Sequence, residues 1–134
     1  MKIFVFVGGS HESFLGIELA KKLGLKTLVI DRSKECYCAK YSDFYISASK
    51  YDSDGIVKKL KTFKFSSQLV GVLAVGSDVP ITVAKIAKNF NLFGISEYSG
   101  KLASDKIYMK EAFEKYNIAI PYFKKINNFE ELER

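Results

Sequence analysis

This sequence contains few of the residues that stabilise very small or metal-bound proteins. Its 134 residues include no tryptophan, two prolines, two cysteines and one histidine. Cys36 and Cys38 are too close in sequence for an unstrained disulfide, and with His11 as the single imidazole they do not complete a zinc site. We therefore expect reduced thiols, no metal ligands among the cysteines, and a cytoplasmic protein.

Long apolar runs are also missing. No run approaches the ~18 residues of a membrane span, and the N-terminal apolar run stops at Gly8, earlier than a secretory signal requires. We therefore expect no contact with a membrane. A hydrophobic fraction of 48%, without low-complexity tracts, predicts a globular protein with its own core.

The net charge is +6, from 21 basic and 15 acidic residues. The basic residues are spread along the chain. Their densest cluster, Lys58–Lys64, includes Phe63 and is typical of the solvated face of a helix. Charge alone therefore makes nucleic acid an unlikely partner.

The stretch Lys2–Ser13 organises the sequence. Five consecutive apolar residues, Ile3–Val7, run into Gly8-Gly9. An apolar run of this length without polar alternation predicts a strand that is buried on both faces, as in the middle of a parallel sheet. A strand, a glycine turn and a helix N-terminus present backbone N–H groups at the carboxyl edge of such a sheet, where anions and ligands bind.

A helix is predicted from about Glu12 to Leu23, and the second strand follows at Lys26–Ile30. Ser10 suits the helix N-cap and Gly24 its C-terminal end. Leu15, Leu19 and Leu23 form an apolar stripe at helical spacing, with Ala20 beside it. Gly16 permits the helix to pack closely on a sheet.

Asp31 follows the second strand, 23 residues after Gly8. An acidic residue at about this position binds a ribose hydroxyl in dinucleotide-binding folds. The G-x-G-x-x-G fingerprint is absent, however, because the loop reads GGSHES. Asp31 is therefore a candidate polar or ribose contact, with capping at the end of the strand as the structural alternative.

The middle of the chain continues the alternation of strands and helices. We predict strands at Phe44–Ser47 and Leu69–Val75, helices at about 55–63 and 79–89, and a short fifth strand at Leu92–Ile95. Gly76-Ser77-Asp78 forms a second turn at the carboxyl edge. The fold class is α/β, an open and mostly parallel sheet with helices on both faces, in which the two turns flank one crevice.

The C-terminal quarter has a different pattern. Ser104-Asp105-Lys106 opens a helix that reaches about Tyr116. Residues 118–126 are predicted to be extended around Pro121, and a further helix starts at Asn127 or Asn128. The chain then stops on charged residues without a closing element, so we expect the native polypeptide to continue.

The sequence resembles the N-terminal, or pre-ATP-grasp, domain of ATP-grasp enzymes. This family includes biotin carboxylase, the carbamoyl-phosphate synthase large chain and the purine-pathway carboxylate–amine ligases. The run SDKIYMKEAFEKYNIAIPYFKKINNFEELE, 104–133, is similar to the family's entry segment. The upstream part of the resemblance is carried by four segments: Lys2–Gly9, Gly24–Arg32, Tyr41–Asp43 and Val72–Ile95.

The resemblance implies two units, a Rossmann-like domain at 1–97 and, at 98–134, a hinge helix and strand that enter the ATP-grasp region. In the family, ATP and Mg²⁺ are held mainly by subdomains that follow this point, so residues 1–134 alone are expected not to catalyse ligation. The implied substrates are a small carboxylate, or bicarbonate, and an amine, joined through an acyl phosphate. Whether the chain forms a homodimer is left open, because no residue or motif of the sequence indicates a dimer interface.

Individual residues carry over as follows. Lys106 matches a basic residue that reaches the nucleotide phosphates in several family members. The first glycine turn, Gly8, Gly9 and Ser10 with His11, matches the border of the substrate pocket, and Ser77 and Asp78 occupy the equivalent edge after the fourth strand. Each has a structural alternative: a surface lysine, a tight turn, an untuned histidine, or a helix cap.

Two other functions stay open. A small nucleotide- or NAD-binding Rossmann-like protein would use Asp31 at the second strand, although the third glycine is missing. A non-catalytic binding domain of flavodoxin-like shape would suit a complete chain of this length. The identity of the carboxylate and of the amine does not follow from the sequence.

Overall fold

The computed structural model describes residues 1–132. Four strands form one parallel sheet in the order β3-β2-β1-β4. The strands are β1 (Ile3–Val7), β2 (Lys26–Asp31), β3 (Phe44–Ser47) and β4 (Leu69–Leu73). The chain moves outward from β1 to one side and then returns to its other side, so a crevice is expected between the carboxyl ends of β1 and β4.

Six α-helices accompany the sheet within the described residues. They are α1 (Phe14–Lys22), α2 (Ser53–Thr62), α3 (Pro80–Asn89), α4 (Glu97–Ser104), α5 (Lys106–Lys115) and α6 (Phe129–Leu132). The helices α2 and α3 pack on one face of the sheet and α1 packs on the other. The predicted α/β class, a parallel sheet covered on both faces, is therefore confirmed.

Alternation along β1 builds the two halves of the core. Ile3, Val5 and Val7 point toward α2 and α3, whereas Phe6 points toward α1 and packs with Ile17. Successive side chains of a strand point to opposite faces, so an uninterrupted apolar strand serves both layers. All four of these β1 side chains are buried, as the sequence predicted.

The buried face of α1 differs from its most visible apolar stripe. Ile17 and Ala20 face the sheet, whereas Leu15, Leu19 and Leu23 are exposed. The helix lies very close to the sheet at Gly16, where an added Cβ would come 2.8 Å from the Phe6 ring. Because Gly16, Ile17 and Ala20 make the contact with the sheet, the leucines are left on the outer surface.

The predicted fifth strand at Leu92–Ile95 does not form. Asn91 adopts a left-handed conformation (φ 51°) and turns the chain after α3. The Leu92 N–H then donates to the Ala87 carbonyl, which closes the helix end, so it does not pair with β4. At Gly94 an added Cβ would lie 2.9 Å from the Ala87 Cβ, so this segment packs on α3. In the described chain, β4 is therefore an edge strand.

A helix that the sequence did not predict, α4, precedes the predicted C-terminal helix. Ser96 caps α4 by accepting the Ser99 N–H at 3.0 Å. Ser104 is the last residue of α4, and Asp105, not Ser104, is the N-cap of α5. The sequence of α4 shows only a weak helical periodicity of apolar residues, because the segment is short and polar and contains Gly100. In the fold, Gly100 packs against the backbone at Pro80.

Residues 118–127 form no helix and pair with no strand within residues 1–132, and the extended conformation around Pro121 stays a prediction. Asn128 caps α6, its Oδ1 accepting the Glu131 N–H at 3.0 Å. Glu133 and Arg134, the end of the predicted last helix, lie outside the described residues. None of the described helices has the length and apolar character that crossing a membrane requires.

Candidate functional site

The turn after β1 is held by internal hydrogen bonds. Gly8 has a φ of 99°, a conformation that favours glycine. Its N–H donates to the Ile30 carbonyl at 2.9 Å, and the Gly9 N–H donates to Asp31 Oδ2 at 2.9 Å. These two N–H groups, which the sequence suggested for anion binding, are therefore already engaged.

Asp31 connects this turn to the end of β2. Besides the Gly9 N–H, its carboxylate accepts the Ser33 N–H at 3.0 Å through Oδ1. Each carboxylate oxygen thus already has a backbone donor. A ribose hydroxyl at Asp31 would have to share these oxygens, so the visible role of this residue is to fix the glycine turn.

The turns after β1 and β4 are in direct contact. A Cβ added to Gly8 would lie 2.7 Å from Ser77 Oγ. Gly76 adopts a φ of 63°, and a Cβ added there would lie 2.8 Å from the Glu12 Cβ. The adjacency that the parallel topology predicted is therefore present, and it leaves no room for larger side chains at either glycine.

Lys50 reaches the same place from the connection between β3 and α2. Its Nζ donates to Ser77 Oγ at 3.1 Å. Its backbone carbonyl accepts a 2.8 Å hydrogen bond from Oγ1 of Thr82, a buried residue of α3. Lys50 was not among the site residues predicted from the sequence. The signal available was its position three residues after β3, a strand whose carboxyl end meets the same edge.

Glu12 supplies a negative charge beside Lys50. The pKa of its carboxyl is held below its usual range, chiefly by the Ser10 side chain and by the Glu12 backbone N–H, with smaller contributions from His11 and Lys50. The carboxylate is therefore ionised at neutral pH. A cation and an anion thus lie beside the two touching turns.

Asp78 presents a second carboxylate at this edge. It is exposed, and it does not cap α3, because the N-cap position is Val79 and no side chain caps that helix. Ser77 and Asp78 line an open cavity of about 480 Å³, together with Phe93 and Ile95. The capping explanation for Asp78 is thus removed, and Asp78 lies at the border of a largely apolar cavity.

No family model and no curated protein sequence matches this chain. Several solved structures do. Phosphoribosylglycinamide synthetase from Anaerococcus prevotii is 25% identical, with a TM-score of 0.81 over 98% of this chain and 33% of that one. L-amino acid ligase from Bacillus licheniformis is 19% identical, with a TM-score of 0.79 over 100% of this chain and 35% of that one. N5-carboxyaminoimidazole synthetase from Staphylococcus aureus, solved in complex with ADP, is 16% identical, with a TM-score of 0.66 over 87% and 30%.

The structures that match are ATP-grasp ligases, and the match falls on their N-terminal part. This chain has the N-terminal fold of the ATP-grasp ligases. The resemblance identified from the sequence is therefore confirmed at the level of the fold. The chain spans about a third of the length of the solved structures that it matches.

In this ATP-grasp N-terminal fold, His11 lies on the α1 side of the glycine turn. Its ring stacks on Tyr37, with the ring centroids 3.7 Å apart. Tyr37 also contacts Phe14 and Tyr41, so the histidine forms one end of an aromatic cluster. The sequence could not indicate this partner because Tyr37 is 26 residues away in the β2–β3 connection.

The two cysteines support the same turn. Cys38 is buried and its Sγ donates to the Ser10 carbonyl at 3.0 Å. Both thiols are free, and burial is the main cause that raises the pKa of each. Protonated thiols packed against a turn are poor nucleophiles, which agrees with the expected ordinary reduced cysteines.

Lys106 is separate from the carboxyl edge. It is the first residue of α5, it is exposed, and α5 packs on α4 and not on the sheet. Within residues 1–132, no hydrogen bond or ion pair ties it to the two turns. The structure therefore brings Gly8, Ser77 and Lys50 together and leaves Lys106 outside that group.

Proposed function

We propose that this chain is the N-terminal substrate-binding domain of an ATP-dependent carboxylate–amine ligase, or of a carbamoyl-phosphate-synthase-like enzyme. In that reaction the terminal phosphoryl group of ATP passes to a carboxylate or bicarbonate oxygen and ADP leaves. The amine then attacks the carbonyl carbon, and phosphate and a proton leave. The proposal assigns residues 1–97 to the substrate-binding domain and 98–134 to the hinge and the start of the ATP-grasp region.

The observation that carries the proposal is the contact of Lys50 with Ser77, next to Asp78 in the chain. The Lys50 ammonium lies 3.1 Å from Ser77 Oγ, and Ser77 and Asp78 both line the adjoining cavity. An ammonium group binds a substrate carboxylate or phosphate as a point charge. A carboxylate accepts hydrogen bonds from an amine. One sheet edge thus offers a partner for each half of the proposed substrate pair.

The other predicted residues have supporting roles in this proposal. Gly8, Gly9 and Ser10 border the substrate; Gly8 allows the close approach of Ser77, and Gly9 that of Cys36. Asp31 fixes the glycine turn through the Gly9 N–H. His11, stacked on Tyr37 at the border, is a lateral substrate contact. Most of the catalysis in such a reaction is positioning and electrostatic stabilisation, so rigid borders of this kind matter.

ATP and Mg²⁺ are expected to be held mainly by the subdomains that follow this fold in the family. Among residues 1–132, no three histidine, cysteine or acidic side chains come together as a cation site. Lys106 is this chain's candidate contact to the nucleotide phosphates, and its exposed ammonium at the start of α5 fits that role. When bound, ATP supplies the phosphoryl group, whereas the residues at the carboxyl edge bind and orient the other substrates.

The size of the native polypeptide that carries this sequence tests the proposal. Mass spectrometry of the protein captured from its own cells is expected to give about 300 residues or more, the length that two further subdomains require. A native polypeptide that ends at Arg134 and binds NAD would overturn the proposal in favour of the Rossmann-like alternative. The cytoplasmic location stays a prediction.

A further inference from the structure

The amino edge of the sheet, opposite the carboxyl edge, brings together lysines from distant parts of the chain. In a parallel sheet covered by helices, each strand begins at this edge and each crossover helix ends there, so residues near those ends become neighbours. The element bounds place six exposed lysines at the amino edge: Lys2, Lys21, Lys22, Lys26, Lys61 and Lys64. Because they are far apart in the sequence, the charge pattern of the sequence alone does not indicate a basic surface.

Backbone contacts show how the elements at the amino edge are arranged. The Lys26 N–H donates to the Lys2 carbonyl at 2.9 Å, and Leu69, the first residue of β4, pairs with Ile3. Lys21 and Lys26 border one cavity of about 320 Å³. The amino ends of β2, β1 and β4 therefore lie side by side, and the ends of α1 and α2 flank them on the two faces of the sheet.

Acidic residues balance little of this positive charge. Asp43 lies beside these lysines, and it already accepts hydrogen bonds from Lys26 Nζ at 2.8 Å and from the Thr27 N–H at 2.9 Å. The other five lysines take part in no ion pair among residues 1–132. The amino edge thus keeps an excess of positive charge that the fold itself does not neutralise.

Helix dipoles explain only part of this pattern. A lysine in the last turn of a helix interacts favourably with the negative end of the helix dipole, which accounts for Lys21, Lys22 and Lys61. Lys2 and Lys64 belong to no helix, so this explanation does not apply to them. Unpaired charges of one sign on one surface repel each other, and they create a potential that attracts a ligand of the opposite charge.

We propose that the amino edge binds the phosphate backbone of a double-stranded nucleic acid without regard to base sequence. Lysine binds a phosphate as a point charge and needs no fixed orientation. Protein-binding surfaces are instead depleted in lysine and enriched in aromatic residues and arginine. The aromatic residues here, Phe63 and Phe65, pack on Phe44 and are only partly exposed, so they offer no platform for unpaired bases. The inference goes beyond the proposed ligase function and does not depend on it.

Fluorescence anisotropy of labelled RNA and DNA duplexes, titrated with the native polypeptide over a salt series, tests the proposal. With about four lysine–phosphate contacts, the logarithm of the association constant should fall against the logarithm of the salt concentration with a slope of about −4. The dissociation constant near physiological salt is expected to be roughly 1 to 100 µM. The two duplexes distinguish RNA from DNA as the preferred source of the phosphates, and binding of neither duplex would overturn the proposal.

Single variants show whether the amino edge is the surface that binds. Lys2→Gln and Lys64→Gln are each expected to weaken duplex binding by about fivefold and to reduce the salt slope by about 1. Lys34→Gln is the matched control, because Lys34 is an exposed lysine that follows β2 at the opposite, carboxyl edge, and this variant should bind within about twofold of the wild type. Circular dichroism checks that each variant is folded. Losses no larger than that of Lys34→Gln would refute the proposed surface.

Competition with poly-L-glutamate distinguishes a nucleic acid from an acidic polypeptide as the partner. A duplex carries one charge per roughly 1.7 Å of its axis, a higher charge density than that of an extended acidic chain. At equal concentration of charge, poly-L-glutamate is therefore expected to displace the labelled duplex at least about 10-fold less effectively than unlabelled duplex does. Equal displacement by the two competitors would contradict the assignment of a nucleic acid.

Discussion

The sheet region and the C-terminal segment of this chain bury their side chains to very different extents. Every fully buried apolar side chain of the described residues lies between Ile3 and Ala87. The helices α5 and α6 contain none. Although α5 packs on α4, both helices rely on local caps, with Asp105 accepting the Ile107 and Tyr108 N–H groups and Asn128 accepting that of Glu131.

This difference indicates which part of the chain stabilises itself. A two-layered core around β1 supplies burial on both faces of the sheet, which is the main favourable term in folding. Short helices without buried residues are marginal in water and depend on packing against something else. In the proposed function, that other surface is the region of the ligase that follows the hinge.

The largest contrast is expected between two leucines. Leu28→Ala removes a fully buried side chain from β2 and should lower the free energy of unfolding by about 3 kcal/mol through lost burial and a residual cavity. Leu132→Ala truncates a side chain that is 60% exposed in α6 and should cost less than about 0.5 kcal/mol. Urea unfolding measures both. Equal losses of unfolding free energy for the two variants would contradict the conclusion that the sheet region, and not the C-terminal segment, stabilises the fold.

The next largest effect is expected within the sheet region, at the contact of the two turns. Gly8→Ala has to adopt a left-handed conformation and also displace Ser77, so we expect a loss of about 2 kcal/mol in the free energy of unfolding. Gly24→Ala is the control, because Gly24 also has a positive φ but has open space around its Cβ position. It should cost about 1 kcal/mol. Equal losses of unfolding free energy for Gly8→Ala and Gly24→Ala would mean that Ser77 exerts no steric effect at Gly8.

Asp43 should make the stability of the sheet region depend on pH. Burial opposes its charged form, but hydrogen bonds from Lys26 Nζ at 2.8 Å and from the Thr27 N–H at 2.9 Å outweigh it, and the net pKa is lowered. A lowered folded-state pKa stabilises the protein above the unfolded-state value, near pH 4. The stabilisation is lost as pH falls through the folded-state value.

Asp43→Asn should therefore cost about 1 kcal/mol at pH 7, and less as the pH falls through the folded-state pKa of Asp43. Chemical unfolding over a series of pH values from 7 downward measures the change. The matched control is Asp54→Asn, because Asp54 forms only an exposed ion pair with Lys85. An Asp43→Asn cost that does not change with pH would refute the assignment.

The smallest expected effect is local. Asp105→Ala removes the cap of α5, worth about 1 kcal/mol to that helix, and should speed amide hydrogen exchange in α5 by about fivefold. Exchange in β1 should stay unchanged because α5 contributes no buried residue to the core. Faster exchange in both elements would show that the two regions unfold as one unit.

The strands were the part of the fold that the sequence predicted best. Ile3–Val7 and Phe44–Ser47 have local patterns that tertiary contacts reinforce, and their boundaries were predicted to within one residue. The burial of α1 was less predictable, because its contact with the sheet is made through Gly16 and not through leucine. The fifth strand failed because the turn at Asn91 directs the chain back onto α3.

The candidate site was predictable in part for a similar reason. Gly8 and Ser77 follow adjacent parallel strands, so strand order alone places them together. Lys50 contacts Ser77, and its carbonyl accepts a hydrogen bond from Thr82 of α3, a residue 32 positions away. No local pattern encodes such a contact. The engagement of the Gly9 N–H by Asp31 also becomes visible only in the folded chain.

ADP formation by the native polypeptide is the most direct test of the central claim, that the carboxyl edge around Ser77 and Asp78 binds the substrates of a ligase. The assay supplies ATP, Mg²⁺ and a panel of carboxylates and amines. The account predicts ADP release that requires a carboxylate and an amine together. It also predicts that Asp78→Asn lowers kcat/KM by at least about 10-fold while Asp54→Asn stays within about twofold. A native polypeptide that neither binds ATP nor forms ADP, or an Asp78→Asn variant as active as the control, would contradict it.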